Sequence, residues 1–171
     1  MRPMGQAGGR EHNGHCNLAL RRDYRDVSPV KTIIEDLRLS PHPEGGWFRE
    51  TWRAPAGEGE RAGATAIFFL LEAHQRSEWH RVDAAEIWLW HAGDPLLLSL
   101  SLDDEAPARK VRLGPDVIAG DMPQYVVAPH EWQSAAPLPG KRGFTLVSCV
   151  VAPAFEFAGF ELAPEGWRPG G

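Results

Sequence analysis

Cysteine is nearly absent. The 171 residues hold two, Cys16 and Cys149, too far apart to outline a disulfide framework or a zinc-ligand spacing. That scarcity fits a reducing setting, so a cytoplasmic location is expected. Long apolar runs are missing as well. The longest, Ala66 to Leu71, falls far short of the roughly 20 residues that a membrane-spanning helix needs. The N-terminus shows no contiguous apolar signal core, so neither a membrane partner nor secretion is expected. A basic excess is also lacking: 18 Lys and Arg stand against 23 Asp and Glu, for a formal net charge of -5. That balance excludes the basic footprint that nucleic-acid binding usually leaves.

What remains is an ordinary globular composition, 43% hydrophobic and 24% charged, in a chain long enough to bury a core. Residues 1–28 carry glycines, scattered arginines and no sustained apolar period, which predicts a loosely attached extension. His12, His15 and Cys16 within it do not complete a structural zinc set. Residues 29–163 are expected to form one domain, followed by a tail over 164–171.

Within that domain the apolar pattern is mostly of period two. Ser28 and Pro29 open a short helix, with Val30, Ile33, Ile34 and Leu37 at helical spacing, ending near Leu39. The run from Ser40 to Gly46 holds two prolines and two glycines and is read as a turn. Strand signals follow at 47–53, 64–72, 96–102, 110–113, 124–128, 132–135, 144–151 and 155–162. In the first of these, Trp47, Arg49, Thr51 and Arg53 would share one face and Phe48, Glu50 and Trp52 the other. About nine short strands with close turn signals and one leading helix indicate an all-β sandwich or barrel.

The stretch Ser77 to Gly93, SEWHRVDAAEIWLWHAG, concentrates imidazole and carboxylate groups. It is read as a hairpin whose turn at Val82 to Ala85 brings Glu78 and His80 close to Glu86. Glu86, Trp88 and Trp90 would then line one face and Ile87, Leu89 and His91 the other.

These residues resemble the first motif of the cupins, in which two histidines one residue apart are followed by a glutamate and a glycine. Glu86 and Gly93 keep the motif's six intervening residues. The strings PHPEGGWFRETWR, HRVDAAEIW, HAGDPL, PQYVV, a WQ pair and VAPAFEFAGFEL are similar to those of the fifth cupin family, over about residues 30–163. The resemblance implies a double-stranded β-helix, or jelly-roll barrel, commonly a homodimer, with a ligand pocket in the barrel mouth. It also implies a metal set of Glu78, His80, Glu86 and Gln133. Glu78 stands where the first histidine is usual, Gln133 where the second motif has histidine, and His130 where a glycine is usual. One imidazole among oxygen and amide donors moves preference toward manganese or magnesium, or toward no metal, and away from iron and zinc.

Three functions follow. The first is acid/base isomerase or epimerase chemistry on a small polar, sugar- or nucleotide-like molecule. His80, Glu86 and Glu78 would be its catalytic groups, and Gln133, Arg49, Arg81 and Tyr125 would hold the ligand. Trp79, Trp88, Trp90 and Trp132 would wall the pocket, although core packing would explain at least two of them. The second is a metal-dependent dioxygenase or lyase. The third is a non-catalytic module that binds a metabolite.

Overall fold

The computed structural model describes residues 28–170; the expected N-terminal extension, with its His12, His15 and Cys16, lies outside them. Eleven strands and one helix make up the described residues. They are α1 (Pro29–Asp36), β1 (Ser40–Pro41), β2 (Trp47–Arg53), β3 (Thr65–Glu72), β4 (Ser77–Val82), β5 (Ala85–Gly93) and β6 (Leu96–Ser101). The chain continues through β7 (Arg109–Leu113), β8 (Gln124–Val127), β9 (Trp132–Pro137), β10 (Phe144–Ala152), a 3-10 turn (Phe157–Gly159) and β11 (Phe160–Leu162). Two antiparallel sheets result, ordered β1-β2-β3-β10-β5-β8 and β11-β4-β9-β6-β7. This is the mostly-β, two-sheet architecture expected, with one short helix.

The core lies between the sheets because alternate residues of each strand point inward. Phe69, Leu71, Trp88, Val147 and Cys149 come from the six-stranded sheet, and Leu96, Leu98, Leu100, Leu113 and Ala135 from the five-stranded one. Full burial of each such aliphatic side chain contributes about 1.5–3 kcal/mol. Strand β3 is buried on both faces, since Leu70 on its outer side meets Val30, with Ile33, Ile34 and Leu37 of the helix region packed alongside. The Ser28 hydroxyl makes no capping hydrogen bond, so the helix begins on Pro29 and is held by its apolar stripe.

Three expectations are corrected. The hairpin at 77–93 does not form: β4 pairs with β9 and β11, while β5 pairs with β10 and β8. The chain instead crosses from one sheet to the other at Asp83-Ala84. Val82, Ala84 and Val151 bury together there. Arg61 pins the crossing with two hydrogen bonds to the Asp83 carboxylate, 2.7 and 2.9 Å, and one to the Ala154 carbonyl. Second, the strand expected over 155–162 forms only at its end, Phe160–Leu162, after the 3-10 turn. Third, β6 stops at Ser101, leaving Leu102 exposed rather than inward. Beyond β11, Trp167 stacks on Trp132 and meets Trp79 edge-on, and the Gly170 amide bonds the Asp104 carbonyl.

Candidate functional site

Between the sheets at one end opens a cavity of about 330 Å³, lined by both sheets and roofed by residues 155–160. Its floor is polar and its wall apolar. The floor carries His42, Glu44, His80 and Glu86, and the wall includes Phe48, Ile67, Val82, Cys149 and Val151. The rim holds Glu50, Arg53 and Glu156 beside Phe155, Phe157 and Phe160.

Two β-bulges decide which side chains reach this space. Ser77 pairs with Ala135 but His80 with Gln133, so β4 carries one residue more than β9 across that interval. The extra residue turns Ser77 and His80 both inward and leaves Glu78 exposed. A second irregularity, between Glu50 and Trp52 on β2, brings Arg53 onto the cavity side with Phe48 and Glu50 and turns Trp52 outward, 52% exposed.

Glu44 arrives by a different route. Pro43 and the Gly45-Gly46 pair fold residues 42–46 into a tight turn, closed by His42 N to Gly46 O at 2.9 Å and Gly45 N to His42 O at 3.1 Å. Gly45 has φ 103° and lies so near the Arg76 carbonyl that a Cβ would sit 2.3 Å from its oxygen. Only glycine suits that position. The turn delivers the Glu44 carboxyl into the interior, where it accepts from Ser77 Oγ at 3.0 Å and lies 3.3 Å from His80 Nδ1.

The chemical state of the floor follows from burial. His80 Nδ1 lies 2.8 Å from the Glu78 carbonyl, which can only accept, so Nδ1 carries the proton and Nε2 keeps its lone pair. Burial holds the His80 imidazole below its usual range, against the opposing pull of the Glu86 charge. Burial, aided by the nearby His80, lowers His42 to about 4, and burial raises Glu44 to about 8. Glu86 is raised, first by burial, with Glu44 adding to the rise and His80 opposing it. The Glu44–His80 contact therefore joins a neutral acid to a neutral imidazole, not two ions. Cys149 stays a thiol, pushed up by burial and by Glu86.

Gln133 stands behind the floor and bridges the sheets. The Trp88 indole can only donate, and it does so to Gln133 Oε1 at 2.9 Å, which orients the amide. Its Nε2 must then donate to Glu86 Oε2, at 2.5 Å. The only atom through which Gln133 could ligate a metal is thereby occupied. With Glu78 facing away, the expected set Glu78, His80, Glu86 and Gln133 does not fit a metal ion. Among the described residues, no three His, Cys, Asp or Glu side chains are arranged to hold one.

Of the other sequence candidates, none lines the cavity. Arg49 lies over Phe68, whose ring packs toward the helix. Arg81 stacks on Trp132 and pairs with Glu161, and Tyr125 accepts from Arg109. Trp88 is core, Trp90 bonds the Asp94 carbonyl, Trp132 bonds Asp104, and Trp79 meets Trp167. The aromatic wall is made of phenylalanine, not tryptophan. His42 and Glu44, read from sequence only as turn residues, are the site residues missed. The available signal was an imidazole and a carboxyl two residues apart inside a proline- and glycine-fixed turn.

Two stacked antiparallel sheets with a polar-floored cavity between them define a jelly roll. The chain belongs to the cupin superfamily, matching over residues 31–163 the family described as Cupin superfamily (DUF985). A hypothetical protein from Leishmania major is similar at 34% identity and TM-score 0.71, over 80% of this chain and 88% of that one. A protein of Shewanella oneidensis is 35% identical at TM-score 0.71, over 78% and 83% of the two chains. An uncharacterized protein of Saccharomyces cerevisiae is 29% identical over 149 residues, 76% of this chain and 73% of its own length. Bacillus subtilis oxalate decarboxylase shares the fold at 12% identity and TM-score 0.53.

Proposed function

We propose that the protein catalyses proton transfer, of the isomerase or epimerase type, on a small molecule seated in the cavity. The observation that carries this reading is the pairing at the floor of a neutral imidazole, its Nδ1–H fixed and its Nε2 free, with the buried carboxyl groups of Glu44 and Glu86, of which Glu44 is raised to about 8. His80 Nε2 takes a proton from a carbon next to a carbonyl. Glu86, its carboxyl raised by burial, donates a hydrogen bond to that carbonyl oxygen when it carries its proton, meeting the charge that develops there. Glu44, 3.3 Å from Nδ1, stabilises the imidazolium that forms. Return of the proton to another face or another carbon completes the isomerisation. The apolar wall excludes water, which strengthens each of these interactions.

A nucleotide-like ligand is not favoured, because the rim carries Glu50 and Glu156 against Arg53 alone. The test is a panel of small carbonyl compounds incubated in D2O and followed by NMR. Exchange of a carbon-bound proton is expected for at least one, falling about 100-fold or more in His80→Gln, in line with the usual contribution of a general base. Compounds that bind tightly yet never exchange would refute the reading and leave a binding module.

A further inference from the structure

The outer end of the cavity is unlike its floor. Phe155, Phe157 and Phe160 pack on one another edge to face, with ring centroids 5.2, 5.8 and 6.4 Å apart and interplanar angles of 81°, 64° and 80°, a contact cluster with no room for a guest between its rings. Phe157 is 65% exposed although it packs on the other two, and it lines the cavity, so its ring is presented at the rim. Arg53, the cation on this rim, is already satisfied. It gives two hydrogen bonds to Glu50, 2.8 and 3.1 Å, and two to the Phe155 carbonyl, both 3.3 Å. Glu156 sits between Phe155 and Phe157 in sequence, lines the same cavity and is exposed. Among the described residues its carboxylate has no hydrogen-bond partner of its own and acts on Arg53 and Arg61, both held by other acceptors, through charge.

Aromatic faces carry negative potential, and a carboxylate beside them adds to it. An anionic ligand would meet Glu50 and Glu156 with no spare cation on the described rim. Resting on the reading of the cavity as the reaction site, we propose that its ligand is an organic ammonium. The cationic nitrogen is held on the exposed ring of Phe157, at the outer surface of the phenylalanine cluster and beside Glu156, with the uncharged reacting end at the floor. The floor keeps its protons because the positive charge stays at the rim.

Three probes of nearly equal shape separate the possibilities: benzylamine, benzyl alcohol and benzoate, titrated calorimetrically at neutral pH against the full chain. Benzylamine is expected to bind about tenfold more tightly than the alcohol, the size of a cation–π contact plus a rim charge. Benzoate is expected to bind most weakly. In Glu156→Gln and Phe157→Leu, both exposed and so tolerant of substitution, the amine preference should shrink while alcohol binding persists. Benzoate binding as tightly as the amine overturns the proposal. So does an amine preference unchanged in Glu156→Gln, or no binding by any probe. None of these results touches the exchange test at His80. Conversely, a protein that binds amines but never exchanges a carbon-bound proton retains this inference and loses the catalytic one.

Discussion

Glu44 and His42 pull stability in opposite directions with pH, and the signs can be worked out. Glu44 has a folded pKa of about 8, above its ordinary value of 4.5. Its contribution is complete below 4.5 and is lost as pH rises toward 8, because the unfolded chain releases the proton first. His42, lowered from 6.5 to about 4, behaves oppositely. Its contribution is present above 6.5 and is lost as pH falls toward 4. Between 4.5 and 6.5 the two slopes cancel; above 6.5 Glu44 acts without His42 and lowers stability by about 1.4 kcal/mol per pH unit, with the raised Glu86 acting in the same direction. Denaturant melts of Glu44→Gln should show a fall shallower by about 1.4 kcal/mol per pH unit between pH 6.5 and 8. An unchanged slope would show that Glu44 ionises normally. At the same scale, Trp88→Phe removes the donor that orients Gln133. The freed amide can then present its oxygen to Glu86, which favours the protonated acid. The alkaline limb of any pH–rate profile governed by Glu86 should shift upward, and an unshifted limb would mean that the amide is fixed by something other than the indole.

Among the elements, strand identity was readable and facing was not. The run WFRETWR became β2 at Trp47–Arg53, and the apolar run from Thr65 became β3, because period-two alternation and β-branched or aromatic content are local properties. The parity of Arg53 and of Glu78 was misread, since each lies at or beyond a bulge that shifts the alternation by one, and a bulge leaves no mark in the hydrophobic pattern. The crossing at Asp83-Ala84 was taken for a hairpin turn for a similar reason: a short polar connection serves either geometry, and only the partners of β4 and β5 choose. His80 and Glu86 were found because each lies on a strand beside strong apolar neighbours. Glu44 was missed because turn chemistry explained its segment completely. His130, noted as standing where glycine is usual, has φ 63°, the left-handed backbone that such a position demands. At this scale the turn at 42–46 is the most fragile part of the site. Gly45→Ala would force the chain away from the Arg76 carbonyl, costing about 1–3 kcal/mol and displacing Glu44. Urea melts should show both the destabilisation and the loss of the Glu44-dependent slope above pH 6.5.

For the whole molecule, the two sheets are joined by an apolar core and by polar links that include Trp88 and Glu86 to Gln133 and Arg109 to Tyr125. The core dominates the stability. Leu98→Ala, at a fully buried position between the sheets, should cost about 2–5 kcal/mol by urea denaturation, from lost transfer energy plus the void left behind. A smaller cost would mean that the sheets close over the gap. No helix among the described residues is long and apolar enough to cross a membrane.

The cavity takes its floor from the 42–46 turn, from β4 of one sheet and from β5 of the other. No partly folded form can therefore keep half of it. A compound lodged there touches both sheets and binds the folded form alone, so its binding energy is added to the folded state. In a cell, such a compound would act as a chemical chaperone. A weakened variant such as Leu98→Ala, degraded when alone, should accumulate again when its natural ligand is abundant. The ligand could be sought by that rescue alone, before any reaction is known.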